Sequence, residues 1–185
     1  VQGLSADKGR LRWEDSLSQV GLAEAALGEI PDIVTPPAIY QGSVFVTSQT
    51  GRSASLDLAT GRLRWEASFG SRSSMAFANK HLFMITSEGK MIAVDVDSGI
   101  EIWVKSLPRY DFEPTRRGFI SYKGPIMAGN RLYFGSGNRK LINANPLTGQ
   151  VLSDVDLSAD VLSAPVIANG TMLVSTRDGY LHAFR

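Results

Sequence analysis

The side chains able to do acid–base, nucleophilic or metal chemistry show no clustered constellation along this sequence. His81 and His182 are its two histidines. One opens a strand after a turn and the other falls in the final strand, and two imidazoles without a clustered third ligand make a poor metal site. Cysteine is absent, which removes disulfides, thiol catalysis and thiolate-bound zinc. A Ser–His–Asp triad would have to be assembled by the fold, and no Gly-x-Ser-x-Gly elbow is present to announce one. Gly135-Ser136-Gly137-Asn138 is only loosely like a phosphate-cradling loop, because it joins two strands and does not open a helix. Asp57 and Asp95 stand at equivalent places before a turn, where a carboxylate can accept hydrogen bonds from the turn's own backbone. These residues point to a chain with no catalytic group, no metal and no cofactor.

Asp57 and Asp95 are parts of an internal repeat, and the repeat decides the fold. Four segments align: Leu4-Ser5-Ala6-Asp7-Lys8-Gly9-Arg10-Leu11-Arg12-Trp13, Leu56-Asp57-Leu58-Ala59-Thr60-Gly61-Arg62-Leu63-Arg64-Trp65, Val94-Asp95-Val96-Asp97-Ser98-Gly99-Ile100-Glu101-Ile102-Trp103 and Ala144-Asn145-Pro146-Leu147-Thr148-Gly149-Gln150-Val151-Leu152-Ser153. Their glycines, at 9, 61, 99 and 149, lie 52, 38 and 50 positions apart, the period of a four-stranded propeller blade.

Within a unit the pattern reads as four short strands. In 37–69 the strands are Pro37 to Tyr40, Ser43 to Thr47, Ser53 to Leu58 and Arg62 to Ser68, punctuated by Gln41-Gly42, Thr50-Gly51 and Thr60-Gly61. Leu56 and Leu58 alternate with Ser55 and Asp57 at the strand period of two. The same layout recurs through Met75 to Ala78, His81 to Thr86 and Met91 to Val96. It recurs again through Gly124 to Ala128, Arg131 to Gly135 and Lys140 to Ala144, and through Ala164 to Ala168, Thr171 to Thr176 and Tyr180 to Phe184. Many short strands with regular glycine turns fit a sandwich, a barrel or a propeller, and repetition at one blade per period selects the propeller. The expected fold is all-β, a β-propeller of four-stranded blades with about four present. A single domain over 1–185 would hold a partial blade at 1–17, blades at 37–69, 75–107 and 121–157, and an incomplete last blade at 162–185. Unpaired edges at the terminal units are expected to favour self-association.

Bulk properties narrow the function classes. Formal net charge is +1 over 185 residues, which argues against a strongly basic nucleic-acid binder. No stretch of about 18 or more apolar residues is present to form a transmembrane helix. The start, Val1-Gln2-Gly3-Leu4-Ser5, has neither an initiator Met nor the basic and apolar regions of a signal peptide, so a processed or trimmed chain is expected.

The pattern Asp57-x-x-Thr60-Gly61-x-x-x-Trp65 resembles the PQQ-type propeller repeat, whose fourth-strand tryptophan packs between neighbouring blades. Trp13, Trp65 and Trp103 match that position as structural docking residues. Ser153 departs from it, so the third full blade should lack the dock. Within this superfamily the chain resembles the C-terminal half of the BamB family, outer-membrane assembly factors. The resemblance is carried by Leu17-Ser18-Gln19 and the polar excursion after it, by Ile30-Pro31-Asp32-Ile33-Val34-Thr35-Pro36 entering a blade, and by the last unit from Ala164-Pro165-Val166 through Asp178-Gly179-Tyr180 to Arg185.

The resemblance implies half of an eight-bladed ring, at the periplasmic face of the cell outer membrane and anchored by a lipid carried upstream of this chain. It implies a non-catalytic scaffold that binds the POTRA domains of BamA and works with the other subunits of the β-barrel assembly machinery in inserting outer-membrane proteins. One family position for that contact, acidic and just before the Thr-Pro that opens a blade, falls on Asp32, with Ile30 and Ile33 as apolar neighbours. Val34 replaces a second family aspartate.

Two segments break the blade rhythm, 18–36 and 108–123, and long loops in compact repeats often carry function. The second holds Arg109, Tyr110, Phe112, Arg116, Arg117, Phe119 and Tyr122. Aromatic residues and arginine are enriched at interface hot spots, which adds Arg116 and Arg117 to the candidate partner-binding residues. Stacking of single-stranded nucleic acid also uses such residues, but one short cluster in a chain of balanced charge does not support it. The alternatives from other function classes are a fragment of a PQQ-dependent dehydrogenase and a ligand-sensing propeller domain.

Overall fold

A computed structural model describes residues 1–14, 35–49 and 51–185. The described chain forms two compact units, residues 1–72 with 97–99, and 73–96 with 100–185.

In the first unit, β1 (Gln2–Leu4) and β2 (Leu11–Glu14) form an antiparallel pair, and β3 (Ala38–Tyr40), β4 (Ser43–Thr47), β5 (Ser53–Asp57) and β6 (Leu63–Ala67) form a four-stranded meander in chain order. Every residue of β4, Ser-Val-Phe-Val-Thr, is buried, so its two faces are both covered and its apolar run need not alternate. Val44, Val46, Ala54 and Leu56 make one core cluster of this unit, with Val1 and Trp13 packed on it. The β3–β4 hairpin closes through Gln41 and Gly42, both at positive φ, 46° and 75°. That is the two-residue turn whose twist matches the strands it joins.

The second unit repeats the meander. β7 (Ala76–Ala78), β8 (His81–Ile85), β9 (Lys90–Asp95) and β10 (Glu101–Ser106) make one sheet. After it come β11 (Tyr110–Phe112), a 3-10 turn at Glu113–Thr115 and β12 (Arg117–Phe119), with β11 and β12 forming a two-stranded sheet among the described residues. β13 (Tyr122–Ala128), β14 (Arg131–Ser136), β15 (Lys140–Ala144) and β16 (Val151–Asp156) form the next four-stranded sheet. β17 (Val166–Ala168), β18 (Thr171–Ser175) and β19 (Leu181–Phe184) form a three-stranded one.

Two apolar clusters join these sheets. Phe83, Met91 and Ala93 meet Leu132 and Phe134 in the first. Leu141, Leu157 and Val161 meet Met172 and Val174 in the second. Phe83, Phe134, Leu132 and Met84 are at most 1% exposed, and burying each such side chain contributes about 1.5–3 kcal/mol. The middle strands of each sheet are therefore its apolar centre, while β10 and β16 are mostly exposed.

The strands fall where the repeat placed them, with ends shifted by one or two residues. The main addition is at 108–123. Read from sequence as a connection, it folds in part into the β11–β12 ribbon.

Candidate interaction site

Each tryptophan of the repeat stands over the turn glycine of the following repeat. Trp13 faces Gly3 across the β1–β2 pair, and its Nε1–H donates to the carbonyl oxygen of Leu58 at 2.9 Å. A Cβ on Gly61 would come within 2.6 Å of the Trp13 ring. Trp65, 8% exposed, pairs opposite Ser55, tilts against Phe45 at 5.9 Å between ring centroids and covers Gly99 in the same way. Trp103 pairs opposite Ala93, donates from Nε1–H to the Pro146 carbonyl oxygen at 2.9 Å and covers Gly149. Glycine is needed under each ring twice over, since the three glycines hold φ near +70° and no Cβ fits. Ser153 sits at the fourth such position. Its cross-strand neighbour is Asn143, larger than the Gly, Ser or Ala that faces each tryptophan, and the Asn143 amide donates to the Ser153 hydroxyl.

The turn ahead of Trp65 is held by Asp57. Its Oδ1 accepts from the N–H groups of Ala59 and Thr60 at 3.0 and 2.9 Å and from the Thr60 hydroxyl at 2.9 Å, and Arg64 meets Oδ2 at 2.6 Å. Arg64 first, then Thr60, hold the Asp57 carboxyl well below the usual carboxylate range. Asn145 takes the equivalent place later, accepting from Leu147 N–H at 2.8 Å.

The β11–β12 ribbon rises from a pinned base. Leu107 and Ile120 are buried; Leu107 N–H donates to Gly89 O and Ile120 N–H to Arg109 O, both at 2.9 Å. Tyr122 Oη donates to Pro108 O at 2.7 Å, and its ring meets Phe134 edge-on at 5.9 Å. Burial, with the nearby charges of Asp111 and Glu113, pushes the Tyr122 hydroxyl up to about 12. Glu113 folds back on the ribbon, its Oε1 accepting from Arg109 N–H at 2.9 Å and Tyr110 N–H at 3.3 Å.

The register pairs Tyr110 with Phe119 and Phe112 with Arg117. Residues two apart on a strand share a face, as do cross-strand partners. Tyr110, Phe112, Arg117 and Phe119 therefore share one face of the ribbon. Tyr110 and Phe119 meet edge to face at 6.0 Å, and Phe112 and Phe119 are 57% and 61% exposed. Asp111 lies on the other face, against Gly118. Arg116, left-handed at φ 51°, caps the tip beside Arg117. Both arginines are exposed, and no carboxylate among the described residues lies within ion-pair distance of either.

The remaining sequence candidates separate. Asp32, Ile30 and Ile33 lie outside the described residues. His81 packs near Phe83, 6.0 Å between ring centroids. His182 Nε2 lies 3.1 Å from Ser158 Oγ and 3.3 Å from Thr176 Oγ1, and Thr176 donates to Asp178 Oδ1 at 2.6 Å. Asp178 takes its side-chain hydrogen bonds from the Thr176 and Ser158 hydroxyls, which lower its pKa. A hydrolase triad needs the carboxylate to orient the imidazole, so this cluster is a hydroxyl-bridged network of a different kind. Sequence reasoning did not pick out Ser158, which sits in a connection after β16. Among the described residues no three or more His, Cys, Asp or Glu side chains gather as a metal would require.

Comparison with known proteins places these features. The family model described as "Outer membrane protein assembly factor BamB" matches residues 1–105 and 108–185. The BamB protein of Yersinia pestis is 26% identical over 186 aligned residues, covering 100% of this chain and 44% of that protein. The chain thus spans about 44% of the length of such relatives. The crystal structure of BamB from Moraxella catarrhalis superposes with a TM-score of 0.77 at 17% identity, covering 98% of this chain and 51% of that one. A quinohemoprotein alcohol dehydrogenase from Pseudomonas putida gives a TM-score of 0.68, also at 17% identity, over 99% of this chain and 37% of that one. The last two likenesses establish the fold as a β-propeller of PQQ-like four-stranded blades, with about four present. With the family model matched along nearly the whole chain, the protein belongs to the outer membrane protein assembly factor BamB family.

Proposed function

We propose that the chain is part of a non-catalytic scaffold subunit of the outer-membrane β-barrel assembly machinery. It works on the periplasmic face of the outer membrane, held there by a lipid anchor upstream, and binds the POTRA domains of BamA through loops between blades. The observation that carries this is the family match over residues 1–105 and 108–185. The ribbon supports a binding role, since Phe112, Phe119, Arg116 and Arg117 are exposed on an element pinned at its base, and a hot spot needs an apolar anchor beside a placed charge. Asp32 with Ile30 and Ile33 forms one proposed contact, and Arg116 with Arg117 a second. Outside the full-length protein, the chain self-associates through unpaired strand edges.

Calorimetry of the full-length protein with BamA POTRA domains tests the reading. Asp32→Arg should weaken binding at least tenfold, about 1.4 kcal/mol. Unchanged affinity with an intact fold removes Asp32 from the site, and no binding by the wild-type protein defeats the BamA assignment.

A further inference from the structure

We infer that the exposed face of the β11–β12 ribbon recognises an extended, acidic polypeptide segment carrying an aromatic residue and a carboxylate two positions apart. This rests on the protein-binding reading above, but not on BamA being the partner.

Charge sets the sign of the partner. The ribbon has two acidic residues, and neither serves the aromatic face: Asp111 lies on the far side against Gly118, and Glu113 is turned onto the backbone N–H groups of Arg109 and Tyr110. Arg117 is the one charged member of that face, and Arg116 flanks it at the tip. Two exposed guanidiniums without carboxylate partners favour an acidic segment, and the planar fork of arginine suits a carboxylate.

Geometry sets the spacing. The two cross-strand pairs, Tyr110 with Phe119 and Phe112 with Arg117, are two residues apart along the ribbon, about 7 Å at the strand rise. One pair is purely aromatic and the other couples a ring with a cation. A partner strand lying along the ribbon presents its own same-face side chains at the same interval of about 7 Å. An aromatic side chain can then join the edge-to-face pair of Tyr110 and Phe119 while a carboxylate two positions away reaches Arg117. Adjacent aromatic and acidic residues point to opposite faces of a strand and cannot satisfy both pairs.

Fluorescence anisotropy with short labelled peptides tests this on the chain as it stands. One peptide carries tyrosine and glutamate two positions apart, a second has them adjacent, and a third has lysine in place of glutamate. The first should bind at least tenfold more tightly than the other two. Arg117→Glu should erase that preference and favour the lysine peptide, a gain that an unfolded variant would not show. Phe119→Ala should weaken the first peptide while the chain stays folded, with Tm lowered by no more than the loss of its edge-to-face contact with Tyr110. Equal binding of the spaced and adjacent peptides overturns the proposal, as does binding insensitive to Arg117→Glu or no binding of any peptide. Loss of binding to anionic phosphatidylglycerol vesicles or to a single-stranded oligonucleotide on Arg117→Glu, with no peptide binding, overturns it too and assigns the face to another class of ligand. The titration contains no BamA. Peptide binding without POTRA binding defeats only the BamA assignment, and the reverse defeats only this one.

Discussion

Trp103 lies over Gly149 so closely that a Cβ on the glycine would stand 2.6 Å from the indole ring. Gly149 also holds φ +68°, a conformation that L side chains adopt at a cost of about 1–2 kcal/mol. Two separate costs therefore fall on any substitution there, and they can be told apart. Gly170 holds φ +70° with nothing within 4 Å of its would-be Cβ. Gly170→Ala should cost only the backbone share, about 1–2 kcal/mol. Gly149→Ala should add about 1–3 kcal/mol for displacing the indole. Equal losses in urea denaturation would show that the ring moves away freely and that the dock contributes little.

Trp65 is the most buried of the three docked tryptophans, with Phe45 tilted against it and Gly99 beneath it. Trp65→Ala should cost about 3–5 kcal/mol, the usual range for emptying a buried tryptophan site. Trp13, half-buried on β2, should cost less. Chemical denaturation showing a loss below about 1 kcal/mol for Trp65→Ala would contradict the packing described.

The base of the ribbon should respond to alkali. The Tyr122 hydroxyl is raised from 10.0 to about 12 in the folded chain, while the unfolded chain ionises near the ordinary value, about 10. A group whose folded pKa is raised contributes stability that is whole below the unfolded value and lost as pH rises through the folded one. The Tm of the wild-type chain should therefore fall more steeply between about pH 10 and 12 than that of Tyr122→Phe. Near pH 7 the variant should be about 0.5–1.5 kcal/mol less stable, from loss of the bond to Pro108. Parallel Tm profiles across that alkaline range would show that Tyr122 is not the group responsible.

The repeat was legible because its turn and its dock each demand particular residue types. Asp57 and Thr60 meet the turn's hydrogen bonds, Gly61 meets its φ, and Trp65 fills the space beside the next turn; few other residues do any of these. Ser153 was legible as an exception, but its partner was not. Only the strand register shows Asn143 standing where Gly3, Ser55 and Ala93 face the tryptophans. The ribbon escaped the sequence because three-residue strands are too short to show a period. Its residue types marked it as a binding candidate, yet which of them share a face depends on the pairing of Tyr110 with Phe119. The contact of His182 with Ser158 was hidden for the same reason, since it joins a strand to a connection 24 positions away.

The reach of each tryptophan into the following repeat also sets an order in time. A chain that emerges amino end first exposes Trp13 before Gly61 exists, Trp65 before Gly99, and Trp103 before Gly149. Each indole stays in contact with water, or with whatever escorts the chain, until the next turn arrives to receive it. Completion therefore runs from the amino end toward the carboxyl end, and each repeat that bears a tryptophan carries one large unsatisfied aromatic surface for as long as its successor is delayed. A pause in delivery anywhere between an indole and its glycine would lengthen that exposure, and the interval from Trp13 to Gly61 is the longest of the three.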